Sequence, residues 1–210
     1  MNELRQAVQA AWANLDVMIG WGSGYDPFHT SPLFVRKPED IDRLIWNPFC
    51  VQNLTGYLVK TPAVQAEDKA KKIGICVRGC DSRSLVALIQ EKLLDRETIM
   101  VFGLPCSGTV DWRRLAQHTA LSGVISTRFD ADTLVVEDAA GEHAFSPNQY
   151  MARRCLRCTH PNPVLHDVLV GKPVAPRVTL ATAYEHVEKL DGLDVAGRLG
   201  LRPDELDRCI

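Results

Sequence analysis

The sequence predicts an α/β protein: a small, mainly parallel sheet with flanking helices, cysteine-bearing loops at its C-terminal edge and a helical C-terminal tail. Three observations predict it. Residues 72–118 alternate strand, helix, strand and helix patterns at the spacing of a βαβ unit. Each strand in that stretch runs directly into a glycine-containing turn that carries a cysteine, Cys80 and then Cys106. The composition, 46% hydrophobic and 24% charged, is that of a folded chain with a real core and excludes disorder, collagen-like repeats and a coiled coil. Residues 1–175 are expected to form the α/β domain, and 176–210 a helical tail that docks on a partner.

The elements follow in order. Residues 3–15 place Leu4, Val8, Ala11, Trp12 and Leu15 at helical intervals. Asp16 to Gly20 reads as a short strand, followed by an irregular loop through GWGSGYDP and FHTSP. Pro38, Glu39 and Asp40 mark a helix start whose apolar face is Ile41, Leu44 and Ile45. A second short helix is expected over Val51–Leu58. Ile73 to Val77 is a buried-type strand, Arg78-Gly79-Cys80-Asp81 a tight turn, and Arg83 to Leu94 a helix capped by Asp81 or Ser82. Thr98 to Phe102 is the next strand; GLPCSG and a helix over Val110–His118 complete the unit. Ser122–Arg128 and Thr133–Glu137 resemble a hairpin around FDAD. Residues 143–165 are rich in Pro, Asn and His and carry the Cys155–Cys158 CxxC in a loop, and Ala181–Leu190 and Pro203–Cys209 are expected to be helical.

The charge narrows the function. With 24 Lys+Arg against 26 Asp+Glu the net charge is −2, so no general attraction to nucleic acid or anionic lipid is expected. No window approaches the roughly 20 apolar residues of a transmembrane helix. The N-terminal stretch lacks the basic and apolar regions of a leader. A cytoplasmic protein is therefore expected, and there seven cysteines point to metal or redox chemistry before disulfides.

Parallel strands end on one edge of a sheet, the edge where α/β proteins bind ligands. Neighbouring strands lie about 4.8 Å apart, so Cys80 and Cys106 are expected within about 10 Å of each other. Cys155-Leu156-Arg157-Cys158 supplies a CxxC spacing that lets two thiolates serve one centre. Four thiolates suit a four-cysteine zinc site or a [4Fe–4S] cluster; thiols without metal are the third reading. Arg78, Arg83, Arg153, Arg154 and Arg157 flank the cysteines, are expected to lower thiol pKa values, and would offset the negative charge of a cluster.

The segments VRGCDSRSLV, FGLPCSG, CLRCTHPNPVLHDVLVG and RKPEDIDRLIWNPFCVQNL resemble the coenzyme F-420 hydrogenase/dehydrogenase beta-subunit family, in particular its short bacterial members. The resemblance covers roughly residues 15–172. It implies an iron–sulfur electron-transfer subunit, with Cys106 in the GxPC turn, Cys155 and Cys158 in the CxxC, and Cys80 in the RGCDSR turn as ligands of one [4Fe–4S] cluster. Implied partners are ferredoxin-like, heterodisulfide-reductase-like or dehydrogenase subunits. It also implies an FAD-bearing alternative, in which Gly79, Asp81, Ser82 and Arg83 at a helix N-terminus cradle a flavin phosphate. There is no ferredoxin-type CxxCxxCxxxC run. A zinc-stabilised, non-catalytic adaptor is the remaining alternative.

Other residues read structurally. Cys76 lies mid-strand and Cys50 follows Trp46 and Phe49, so both are expected in the core. Cys209 is a spare thiol near the terminus. His160 is expected to bond behind the cysteines or to cap the loop, and Asp111 to start a helix. Trp12, Trp21 and Trp46 are expected to pack. Gly171-Lys172 lacks the spacing of a phosphate-binding loop, and no GxGxxG follows a strand.

Overall fold

The computed structural model describes residues 2–60, 72–118, 121, 123–130 and 133–200. Helix α1 (Asn2–Ala11) buries Leu4 and Val8, and a 3₁₀ turn at Trp12–Asn14 leads into β1 (Leu15–Ser23). Strand β2 (Thr30–Val35), a 3₁₀ turn at Pro38–Arg43 and α2 (Gly56–Lys60) follow. Then come β3 (Lys72–Val77), α3 (Gly79–Gln90), β4 (Ile99–Gly103) and α4 (Trp112–His118). Strands β5 (Ser126–Asp130), β6 (Thr133–Asp138) and β7 (Gly141–Phe145) precede the two-residue β8 (Val168–Leu169). The tail holds α5 (Glu185–Asp191) and α6 (Val195–Gly200).

The main sheet runs β2-β1-β3-β4-β8. Strands β1, β3, β4 and β8 are parallel, and β2 is antiparallel on the edge beside β1. Strand β3 is buried along Ile73–Val77, as a central parallel strand covered on both faces must be. The expected α/β class, with a mixed but mostly parallel sheet and short C-terminal helices, is the one observed. Val77 pairs with Gly103, so the turns carrying Cys80 and Cys106 leave the same edge side by side.

Several elements differ from their sequence pattern. The glycines of GWGS do not end the first strand: β1 continues to Ser23 because β2 pairs with it from Met18–Val35 to Ser23–Thr30. Gly20 is needed inside that strand, since a Cβ there would run into the Leu44 side chain. Residues 51–55 are not helical, because the backbone carbonyls of Val51 and Gln52 are turned toward Arg78. Helix α3 starts at Gly79, four residues earlier than its apolar spacing suggests, with Arg78 as N-cap and Asp81 at its third position. The 37–45 helix is a 3₁₀ turn. The hairpin around 130–133 forms, and β7 adds a third strand to it. Beneath it lies a second core of Phe28, Phe49, Val110, Leu115, Leu134, Val136 and Tyr150.

Cys50 and Cys76 are buried in the main core, as expected. Trp21 is fully buried against Trp46, with ring centroids 5.4 Å apart. Asp111 starts α4 by accepting from the Arg113 and Arg114 amides. The helix expected over 203–209, with Cys209, lies outside the described residues. Among the described residues no helix is long and apolar enough to cross a membrane.

Candidate functional site

The site grows out of the turn after β3. Arg78 is extended at the strand end, and its side chain folds inward, nearly fully buried. Its Nε donates to Asp81 Oδ2 at 2.6 Å and its Nη2 to Asp81 Oδ1 at 3.0 Å, a bidentate pair. The remaining donors reach the carbonyls of Cys50, Val51 and Gln52. The guanidinium also lies 5.5 Å over the Trp21 ring. Burial alone would pull the Arg78 pKa down, but the hydrogen bond and charge of Asp81 outweigh it and hold it above its ordinary value. A buried charge is tolerated when it is paired and fully hydrogen-bonded, and Arg78 is both.

On the adjoining strand, the Leu104 amide donates to Val77 O and the Cys106 amide to Pro161 O. Gly108 then turns the chain at φ +123°, a backbone conformation that favours glycine; a Cβ there would sit 2.8 Å from Met151 Sδ and 3.4 Å from Cys155 Cβ. That close approach brings the second half of the site in. A 3₁₀ turn at Arg153–Cys155 presents the CxxC, with the Ala152 amide bonded to Thr109 O and the Cys158 amide to Cys155 O. Gly79 is pressed under the 160–162 segment, where a Cβ would strike the His160 carbonyl.

Cys80, Cys106, Cys155 and Cys158 thereby line one cavity of about 330 Å³, together with Arg78, Asp81, Thr109, Arg154 and His160. All four cysteines that the sequence singles out face the same space. Among the described residues no three His, Cys, Asp or Glu side chains converge tightly enough to hold a single ion. The donor set, four cysteines around one cavity, suits a soft, sulfur-seeking metal centre.

Arg78 acts on Cys80 and Cys106 in the expected direction, but burial outweighs it. Burial pushes the Cys106 thiol up to about 11, against a backbone hydrogen bond at Gly108 and the Arg78 charge, which pull it down. Cys80 is the outermost of the four, yet desolvation of its thiol and the neighbouring Asp81 charge raise it as well. Arg78 pulls both down; at Cys80 the Asp81 charge opposes it, and at Cys106 burial outweighs it. Cys50, behind the cavity, is pushed up to about 12 by burial.

Side chains of the turn expected to cradle a flavin phosphate bond inward. Asp81 is paired with Arg78, Ser82 Oγ donates to Gly79 O and accepts from the Val164 amide, and Gly79 lies against the 160–162 backbone. Arg83 alone of the four is exposed. His160 lines the cavity and meets Thr159 Oγ1 through Nδ1 at 2.7 Å. The sequence reading missed Thr109, whose Oγ1 lies 3.4 Å from Cys155 Sγ, and Asn53, which lines the cavity and reaches Ser84 Oγ. No spacing signal marks either; only the fold brings them in.

The family model that describes the C terminus of the coenzyme F420 hydrogenase/dehydrogenase beta subunit matches residues 70–187, more than half of the chain and the stretch that holds all four cysteines. The chain belongs to this family. Among curated relatives, the beta subunit of F420-dependent formate dehydrogenase 1 from Methanococcus maripaludis is 24% identical over 170 residues, 75% of this chain and 43% of the relative. This family member thus spans less than half the length of that relative. A chain of the F420-reducing [NiFe] hydrogenase complex from Methanosarcina barkeri, known from a xenon-derivatised structure, superposes with a TM-score of 0.59 at 16% identity. The superposition covers 92% of this chain and 73% of that one, and it carries the fold alone.

Proposed function

We propose that this family member is an electron-transfer subunit of a multi-subunit oxidoreductase, relaying single electrons through one [4Fe–4S] cluster held by Cys80, Cys106, Cys155 and Cys158. The observation that carries this reading is the meeting of the four thiols around one cavity at the C-terminal edge of the parallel strands. When bound, such a cluster supplies reversible one-electron chemistry. The chain's own residues set its surroundings. Thr109 lies within hydrogen-bond reach of the Cys155 sulfur, and the Gly108 backbone does the same at Cys106. Both contacts stabilise thiolate sulfur and tune a potential. The hydrophobic core behind Cys76 and Cys50 closes the inner side to water.

The internal bonding of Gly79, Asp81 and Ser82 supports a cluster over a flavin phosphate. The names of the relatives support a dehydrogenase- or hydrogenase-type partner; ferredoxin-like and heterodisulfide-reductase-like subunits fit the same role. The tail supports docking, since Leu180, Tyr184, Val187, Leu190, Leu193, Val195 and Leu199 are exposed in one short segment. We assign the protein to the cytoplasm, where thiols stay reduced.

Anaerobic purification with iron, sulfide, zinc and flavin analysis tests the reading. About four iron and four sulfide per chain, with a broad visible band bleached by dithionite and lost in Cys106→Ser, is the expected result. One zinc without colour, or full absorbance in Cys106→Ser, overturns it.

A further inference from the structure

Cys106 and Cys158 line a second cavity as well as the first. It measures about 210 Å³ and is walled by Ser107, Pro161 and the segment Val174-Ala175-Pro176-Arg177. That segment crosses the site as a strap anchored at both ends. At its start the Asn162 side chain pairs with the Val174 backbone: Nδ2 donates to Val174 O and Oδ1 accepts from the Val174 amide, both at 2.8 Å. At its end the Arg177 amide donates to Cys158 O at 3.1 Å. The Arg177 guanidinium donates to Ser107 O from Nε at 3.2 Å and from Nη2 at 2.8 Å, and Nη2 also donates to Asn148 Oδ1. Arg177 thus joins the carbonyl of one cysteine to the carbonyl of the residue after the other. The Asn162 anchor is itself held in place, because the Cys106 amide donates to the preceding carbonyl, Pro161 O. The local sequence suits a strap. Gly171 turns the chain at φ +93°, and Pro173 and Pro176 fix φ along the crossing, so little freedom is lost when it closes.

We propose that residues 174–177 fix Cys106 and Cys158 relative to each other and shield them from solvent, with Arg177 as the positioning residue. The inference rests on the electron-relay reading, in which both cysteines hold one cluster, and adds what keeps their spacing. Cys106 follows a strand of the sheet, whereas Cys158 belongs to the CxxC loop, so a centre shared by the two needs these parts held at a set distance. The strap supplies that tie from outside the cysteine cavity. A segment that only connects β8 to the tail would need neither anchor. Groups behind metal-ligating residues orient the ligands and control the access of water, and the strap is placed to do both.

The test is read first on the full chain without iron, by anaerobic alkylation with iodoacetamide and peptide mapping of each cysteine. Losing an anchor opens the strap more often, and labelling follows the open fraction. R177A should label Cys106 and Cys158 about fivefold faster than the parent, with Cys80 changed by less than about twofold. N162A, which frees the other end, should label the same two sites faster. R177K should fall between R177A and the parent, because lysine keeps the charge and loses the fork. Unchanged labelling of Cys106 and Cys158 in R177A overturns the inference. So does an equal rise at all four site cysteines, which would report a loosened fold. In the iron-loaded chain, R177A should release iron to a chelator about fivefold faster, and unchanged release also overturns the inference. The two readings fail separately. Strap-dependent labelling in a chain that takes up no iron keeps the strap and rejects the cluster. About four iron per chain, with labelling unmoved by R177A, keeps the cluster and rejects the strap.

Discussion

The two halves of the cysteine site are built differently. Cys80 and Cys106 stand on strand ends: β3 and β4 pair residue by residue from Ile73–Ile99 to Val77–Gly103, and the turn after β3 is pinned from beneath by Arg78. Cys155 ends a short 3₁₀ turn and Cys158 follows it in the same loop, held by backbone bonds to Thr109 O and Cys155 O, with most of the loop's side chains in solvent. One half is an extension of the core and the other is laid onto it. The contrast teaches that the sheet fixes where a cofactor would sit, while the CxxC turn is the part that can adjust to it. Local stability follows contact density, so the second half should open first.

The comparison breaks most visibly at Arg78. Arg78→Met leaves the Asp81 carboxylate buried and unpaired and strips three carbonyls of their donor; a loss of about 3–5 kcal/mol is expected in urea unfolding. A loss below about 1 kcal/mol would mean that the first half is no more tightly anchored than the second. Gly79→Ala probes the seam between them. A methyl group there meets the His160 carbonyl, so overpacking of about 1–3 kcal/mol is expected, with faster amide exchange across 155–162. Unchanged exchange would show that the halves are not pressed together at that point.

Asp167, the residue before the edge strand β8, sharpens the comparison. Its carboxylate accepts from Arg96 and from the Val101 amide at 2.7 Å. Burial would raise its pKa, but these bonds and the charge of Arg96 outweigh it and hold Asp167 below the usual carboxylate range. A lowered folded pKa contributes stability that is fully present above about pH 4 and lost as pH falls through the folded value. Because the pair is partly exposed and screened by solvent, Asp167→Asn should cost only about 0.5–1 kcal/mol at neutral pH and flatten the acid limb of the stability curve. An unchanged acid limb would mean that Asp167 does not contribute to it. The smallest effect is expected at Cys158→Ser: stability within about 0.5 kcal/mol of the parent, with the iron content lost. A large stability loss there would place the CxxC turn inside the core-like half.

The strand patterns at 73–77 and 98–102 are legible in the sequence because buried parallel strands are continuous apolar runs. So is the pairing of Cys80 with Cys106, since the βαβ connection leaves both turns on one edge. The reach of β1 to Ser23 is not, because glycines inside a strand look like its end until a neighbour needs the space. Nor is the 51–55 stretch, whose apolar spacing suits a helix but whose carbonyls are claimed by Arg78, distant in sequence. Arginines beside cysteines suggest lowered thiol pKa values. In the fold the one beside Cys80 is neutralised by Asp81, and burial, which no sequence displays, sets the direction of the shift at Cys80 and Cys106.

By itself the sequence determined the α/β class, the family and the four cysteines, because periodicity and short motifs are local properties of the chain. Only the tertiary structure decided that the CxxC meets the strand-end cysteines around one cavity, that Gly79, Asp81 and Ser82 bond inward, and that Arg83 and Arg157 stand exposed. The reason is physical: these outcomes depend on which groups are taken out of water and which find partners far along the chain, and both are set by packing.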